Sequence, residues 1–282
     1  NKERTSRLFS EYWAQQGKSN IYPWVNPNSV ALENSNDYYT ALNAFADYTK
    51  SFNSHNFKFL VGYNQEVKKN KWFYAKRENL IDNDLPAINR ATGEDYVDGS
   101  ATSWAVQGAF FRMNYDYAGK YLIEVNGRYD GSSKFGVNNR WGCFPSVAVG
   151  WRISEEAFYP KDFFINSLKF RASWGRLGNE NALGYYDFQA LILSRNNRYG
   201  GYIQGGNAWP GSASWTMENR GLKWETTDTK NIGFDFGMLS NKLTGSINYY
   251  INQTEDLLIT KRLSPSAGYQ NPILNVGKIR NN

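Results

Sequence analysis

LTGSINYYIN, residues 243–252, alternates without a break. Leu243, Gly245, Ile247, Tyr249 and Ile251 are apolar or glycine, while Thr244, Ser246, Asn248, Tyr250 and Asn252 all carry or expose hydrogen-bonding groups. A β-strand sends successive side chains to opposite faces, so this segment has one oily face and one wet face. A helix would scatter the two classes around its axis, so the period selects a strand.

The same pattern recurs along the chain. Lys120–Asp130 sets Tyr121, Ile123, Val125, Gly127 and Tyr129 against Lys120, Glu124, Asn126, Arg128 and Asp130, with Leu122 as the exception. Leu42–Tyr48, Phe57–Glu66, Gln107–Tyr117, Phe144–Ile153, Leu168–Trp174 and Lys230–Met238 follow suit, which makes eight strong strands. Their length suits a tilted crossing of a bilayer, which takes about 9–11 residues. The connections sort by length. Ser51–Asn56, Ala118-Gly119 and Leu239–Lys242 are short; Lys68–Ser103, Gly131–Cys143, Gly178–Lys223 and Leu257–Asn275 read as long loops. Glu155–Asn166, with Pro160, is an intermediate linker with room for a helical turn. Short turns at one end and long loops at the other are the pattern of a transmembrane barrel, and a soluble sandwich has no reason for it. The expected fold class is all-β, an antiparallel transmembrane β-barrel with its oily face in lipid and its wet face lining a pore.

Composition fits. Aromatics are 17% of 282 residues, and many of them (Tyr115, Tyr117, Tyr121, Tyr129, Trp151, Trp174, Tyr249) fall on the oily faces near strand ends. Amphipathic rings favour the headgroup layer at both interfaces. Mean hydropathy is −0.65, a value to which membrane barrels are nearly blind because half of each strand is polar. The +6 net charge is spread among acids on the wet faces. That pattern suits a hydrated lumen better than a nucleic-acid track, so no nucleic-acid partner is expected.

One cysteine, Cys143, leaves no internal disulfide and no multi-thiolate metal site, and with one histidine, His55, neither a histidine-based zinc site nor a Ser-His-Asp triad is expected. His55 is expected to be a solvated turn residue. Glu155 and Glu156 are adjacent and near a turn, which does not give the flanking pair that glycoside hydrolysis requires. Arg152 is expected to be a wall charge paired with Glu124 or Asp130. No catalytic, cofactor-binding or metal-ligating residue is assigned, and no enzymatic activity is expected. The candidate substrate or lid contacts lie in the Gly178–Lys223 loop: Tyr199, Tyr202, Trp209 and Trp215 offer stacking planes, and Arg195, Arg198 and Asn207 offer hydrogen bonds.

Four strings carry a resemblance to a known family. RYDGSSKFGVNNRWGCFPSVAVGWRISEEAF (128–158), LKFRASWGRLGNENALGYYDF (168–188), LKWETTDTKNIGFDFGMLSNKLTGSINYYINQTEDLL (222–258) and NVGKIRNN (275–282) resemble the barrel region of SusC/RagA-type TonB-dependent outer-membrane transporters. The likeness spans Tyr115–Asn282 and, more loosely, Tyr38–Glu66. It implies a barrel of about 22 strands around an N-terminal plug, a SusD-type surface lipoprotein as lid, coupling to the TonB complex, and import of glycans or oligopeptides across the bacterial outer membrane. No plug, TonB-binding segment or signal peptide is found in the sequence, so residues 1–282 are expected to be a partial barrel domain. The alternative is a secreted soluble β-sheet carbohydrate-binding module.

Overall fold

Each of the eight alternating segments falls on a strand, overrunning it by at most one residue. The computed structural model describes residues 5–9, 12–16, 20–25, 27–160, 162–195, 202–204, 207–209, 211–214 and 216–282. In chain order the first strands are β1 (Thr5–Phe9), β2 (Tyr12–Gln16), β3 (Asn20–Val25), β4 (Ser29–Phe52), β5 (His55–Glu78), β6 (Asp95–Tyr117), β7 (Tyr121–Ser132), β8 (Trp141–Arg152) and β9 (Ile165–Asn179). Then follow β10 (Ile192–Arg195), β11 (Tyr202–Gln204), β12 (Asn207–Trp209), β13 (Gly211–Ser214), β14 (Glu225–Met238), β15 (Leu243–Glu255), β16 (Leu258–Thr260), β17 (Ile273–Asn275) and β18 (Lys278–Asn281). One sheet has the order β1-β4-β5-β6-β7-β8-β9-β14-β15-β18. Among the described residues no ladder joins its first strand to its last, so the sheet is open. No helix among them is long and apolar enough to cross a membrane.

The chain divides into two compact units, Asn1–Thr40 with Val67–Trp104 and Ala41–Glu66 with Ala105–Asn282. In the first, Asn28 accepts a hydrogen bond from the Leu80 amide at 2.9 Å and donates to the Leu80 carbonyl at 3.2 Å. Val30, Leu80 and Ala91 bury together there. Much of Lys68–Ser103, expected to be loop, is instead strand, because β5 runs to Glu78 and β6 starts at Asp95. The alternation stops there because each face mixes the two classes: Asn70, Trp72, Tyr74 and Lys76 alternate with Lys71, Phe73, Ala75 and Arg77. Asn70 donates to Asp37 at 2.8 Å, and the Trp72 indole donates to Glu33 at 2.9 Å. Backbone pairing continues without the oily face that made the central segments legible.

In the second unit the registers are long and unbroken from Tyr117↔Tyr121 up to Val106↔Ser132, and from Met238↔Leu243 up to Thr226↔Glu255. Ala118 and Gly119 take φ of +54° and +68° with Lys120 N–H on the Tyr117 carbonyl, the geometry that matches a tight hairpin to strand twist. Leu239, Ser240 and Asn241 also have positive φ in their turn. Register is locked by rings lying over glycines. A Cβ at Gly127 would run into the ring of Phe111, its direct cross-strand partner. One at Gly131 would sit 2.8 Å from the Trp141 ring.

Burial in this unit is inverted relative to a soluble sheet. Ile247 is 67% and Tyr249 59% exposed, with Ile123, Tyr129, Val149, Ile232 and Phe234 on the same face and also exposed. On the opposite face Glu124, Asn126 and Asp130 are half-covered and hydrogen-bonded, while Arg112, Arg128, Ser246 and Asn248 are exposed. A sandwich would bury the first face against a second sheet. The buried core is instead at the long-loop end, where Phe135 and Leu222 (both 0% exposed) cluster with Leu183 and Leu258. His55 is not a solvated turn residue. It opens β5, its Nδ1 lies 2.9 Å from the Tyr115 hydroxyl, and its ring stacks on Phe52.

Candidate functional site

The polar face of β6 to β9 and β14 carries three hydrogen-bonded clusters, which reach Asn64 on β5 and Asn248 on β15. Arg112 donates to Asn126 at 2.8 Å, Asn126 donates to Glu124 at 2.8 Å and to Ser146 at 3.2 Å, and Asn114 donates to Glu124 at 2.6 Å. Arg128 pairs with Asp130 at 2.8 Å and reaches Asn64 at 3.1 Å; Arg171 pairs with Asp235 at 2.8 Å and reaches Asn248 at 2.9 Å. Every charge in this set has an opposite charge or an amide beside it, so the face stays hydrated and ordered without a large field of one sign. An open depression of about 480 Å³ lies among Lys58, Asn114, Glu124, Lys169 and Arg171.

Arg152 does not join Glu124 or Asp130, whose partners are those just named. It ends β8, its amide donates to the Lys120 carbonyl at 2.8 Å, and its guanidinium lies by the Gly119 turn. The register puts it a full strand length from Asp130. At the same short-turn end, Glu156 is a clamp. Its carboxylate accepts from the Tyr121 hydroxyl at 2.6 Å and the Trp151 indole at 3.0 Å, and pairs with Lys120 at 3.1 Å. The Tyr121 hydroxyl first, then Trp151 and Lys120, hold its carboxyl below the ordinary value of 4.5.

At the long-loop end, side chains splice three loops together. Asn275 accepts from the Lys223 amide at 2.9 Å and donates to the Lys223 and Asp256 carbonyls at 2.8 and 2.9 Å. Asn219 donates to the Ile273 carbonyl at 3.0 Å, Asn139 to the Arg220 carbonyl at 3.2 Å, and the Trp224 indole to the Arg140 carbonyl at 3.1 Å. These bonds surround the Phe135–Leu222 core, so the loop base is a built platform.

Out of that platform rise two nested ladders. Ile192–Arg195 pairs with Gly211–Ser214, and Tyr202–Gln204 pairs with Asn207–Trp209. The candidate contacts fall on this hairpin: Tyr202 is the register partner of Trp209, Asn207 of Gln204, and Arg195 of Gly211. Arg198, Tyr199 and Trp215 lie outside the described residues. The sequence reading passed over one further concavity. In the first unit an open depression of about 650 Å³ is lined by Glu33, Asn34, Asn36, Lys71, Trp72 and Phe73. Its signal was the aromatic pair at 72–73 beside a lysine, hidden because the stretch read as loop.

Comparison with known proteins agrees with this geometry. A family model described as TonB dependent receptor-like, beta-barrel, matches residues 4–282. The TonB-dependent receptor P3 of Formosa agariphila is 31% identical over 99% of the chain and 28% of its own length. The TonB-dependent receptor SusC of Bacteroides thetaiotaomicron is 31% identical over 86% of the chain and 24% of its own length. The RagAB peptide importer in its closed-closed state superposes with a TM-score of 0.81 at 23% identity, over 98% of the chain and 29% of that structure's chain, a likeness of fold. The chain thus spans about a quarter of the length of the relatives it matches.

Proposed function

The chain belongs to the β-barrel family of TonB-dependent receptors, and from that premise we propose that it supplies a stretch of wall and its external loops to an outer-membrane importer of nutrients. The exposed apolar face meets hydrocarbon, and the hydrogen-bonded polar face lines the lumen. The observation that carries this reading is the inverted burial along β7, in which Ile123 and Tyr129 are open while Glu124 and Asp130 of the same strand are half-covered and partnered. Paired charges flanked by amides offer hydrogen bonds to cargo of either sign, which suits glycan pieces and oligopeptides. The loop platform and its hairpin are the ground for a SusD-type lipoprotein lid, with Arg195, Arg198, Tyr199, Tyr202, Asn207, Trp209 and Trp215 as contacts to lid or cargo. Energy comes from the TonB complex through parts of the protein outside this chain. No covalent chemistry is asked of the wall.

The test is nitroxide labelling at Ile123, Val125, Ile247 and Ile251 of the full-length protein in bilayers. Collisions with oxygen and protection from a water-soluble nickel chelate are expected at all four. Water-like accessibility at these sites overturns the reading. For the loop contacts, a Tyr202→Ala/Trp209→Ala double variant is expected to release the lid or weaken cargo binding with barrel assembly intact. Unchanged lid retention and cargo affinity remove these residues from the role.

A further inference from the structure

We propose that the outward rim of the sheet carries a binding site for the phosphate of a membrane lipid headgroup, built on Arg140. Its backbone is pinned, because the Arg140 carbonyl accepts from the Trp224 indole at 3.1 Å and from the Ser132 amide at 3.2 Å. Among the described residues no acid pairs with its guanidinium, and the buried Nε has no acceptor.

The surroundings say what this guanidinium can hold. Arg140 lines a small cavity of about 170 Å³ with Gln65, Gln107, Ser133 and Trp141, and no carboxylate lines it. The Tyr63 hydroxyl lies 3.1 Å from Oε1 of both Gln65 and Gln107. Whichever carboxamide accepts the hydroxyl proton keeps both of its own N–H donors free. The site therefore offers a planar guanidinium fork and amide donors with no matching acceptor, the complement of a phosphate.

Position selects the lipid. Gln107, Gly131 and Trp141 are register partners, one step along the apolar face beyond Ala109, Tyr129 and Cys143. Trp141 stacks on Tyr129 at 4.9 Å between centroids. The cavity thus sits just past the aromatic edge of the apolar band, on the long-loop side, where headgroups lie. The inference rests on that band meeting hydrocarbon.

The test is native mass spectrometry of the full-length protein in detergent, titrated with lipid A bearing one phosphate, with the same lipid after phosphatase treatment, and with inorganic phosphate alone. The wild type is expected to hold the phosphorylated lipid, Arg140→Gln to bind it about tenfold more weakly, and the phosphate-free lipid to bind no better to wild type than to the variant. A Gln65→Leu/Gln107→Leu variant reads the same site from the neighbouring strands if Arg140→Gln does not assemble. Equal retention of the two lipids, or unchanged binding in an assembled variant, overturns the site. Inorganic phosphate binding alone and displacing the lipid at millimolar concentration overturns the lipid as its occupant. Nitroxides at Ile123 and Ile247 in the same protein, reconstituted, report separately whether the apolar band is in lipid.

Discussion

Ile247→Arg is the sharpest test of where the membrane lies. The outward residues of β15 are apolar or glycine from Leu243 to Ile251, then turn polar at Gln253 and Glu255. Eight residue steps at about 3.4 Å make about 27 Å along the strand, or about 21 Å of depth at a tilt near 40°. Ile247 is the midpoint, about 10 Å from either edge by the same count. Its ladder neighbours are Phe234 and, beyond it, Phe170, whose rings lie 5.2 Å apart. A guanidinium there meets rings and hydrocarbon and no acid. The expected cost is about 2–4 kcal/mol, against about 0–1 kcal/mol for Ile251→Arg at the edge. Ser246→Arg, on the polar face, is expected to cost little. The assay is a denaturant titration of the full-length protein folding into phosphatidylcholine vesicles, followed by tryptophan fluorescence. Equal costs at 247 and 251, or a larger one at 246, refute the assignment of faces.

Leu222→Ala opens a cavity under the loop platform at a fully buried site and is expected to weaken it by about 2–5 kcal/mol, seen as faster proteolysis within 178–223 while the strands stay protected. Gly127→Val drives a side chain into the Phe111 ring and is expected to cost about 1–3 kcal/mol of overpacking in the same vesicle titration; a neutral result removes the ring from its role in register. Glu156 has a folded pKa lowered by Tyr121, Trp151 and Lys120, so its stabilisation is present above the ordinary carboxylate value and disappears as pH falls through the lowered one. Glu156→Gln is therefore expected to flatten the acid limb of a stability–pH profile, and an unchanged limb refutes the clamp.

The chain's period of two located all eight central strands, and the Ala118-Gly119 and Ser240-Asn241 turns followed from residues that accept positive φ. Both are local properties, written in neighbouring side chains. Three features were out of reach. The outer parts of β5 and β6 escaped because a strand whose two faces both mix aromatic and polar residues has no hydrophobic period. His55 was read as solvated because its ring partners, Phe52 and Tyr115, meet it only when β4, β5 and β6 pair. Arg152 was given the wrong partners because a charge pairs with whatever the register sets beside it, and register belongs to two strands at once.

Sequence alone therefore determined that this chain makes a two-faced antiparallel wall, since alternation, turn chemistry and the sorting of loop lengths each act within one segment. Tertiary structure decided which polar groups find partners. The knitting of the loops by Asn219, Trp224 and Asn275, and the guanidinium of Arg140 left open at the rim, depend on residues up to 84 positions apart. Only the paired sheet brings such groups within hydrogen-bond reach, or leaves one outside it.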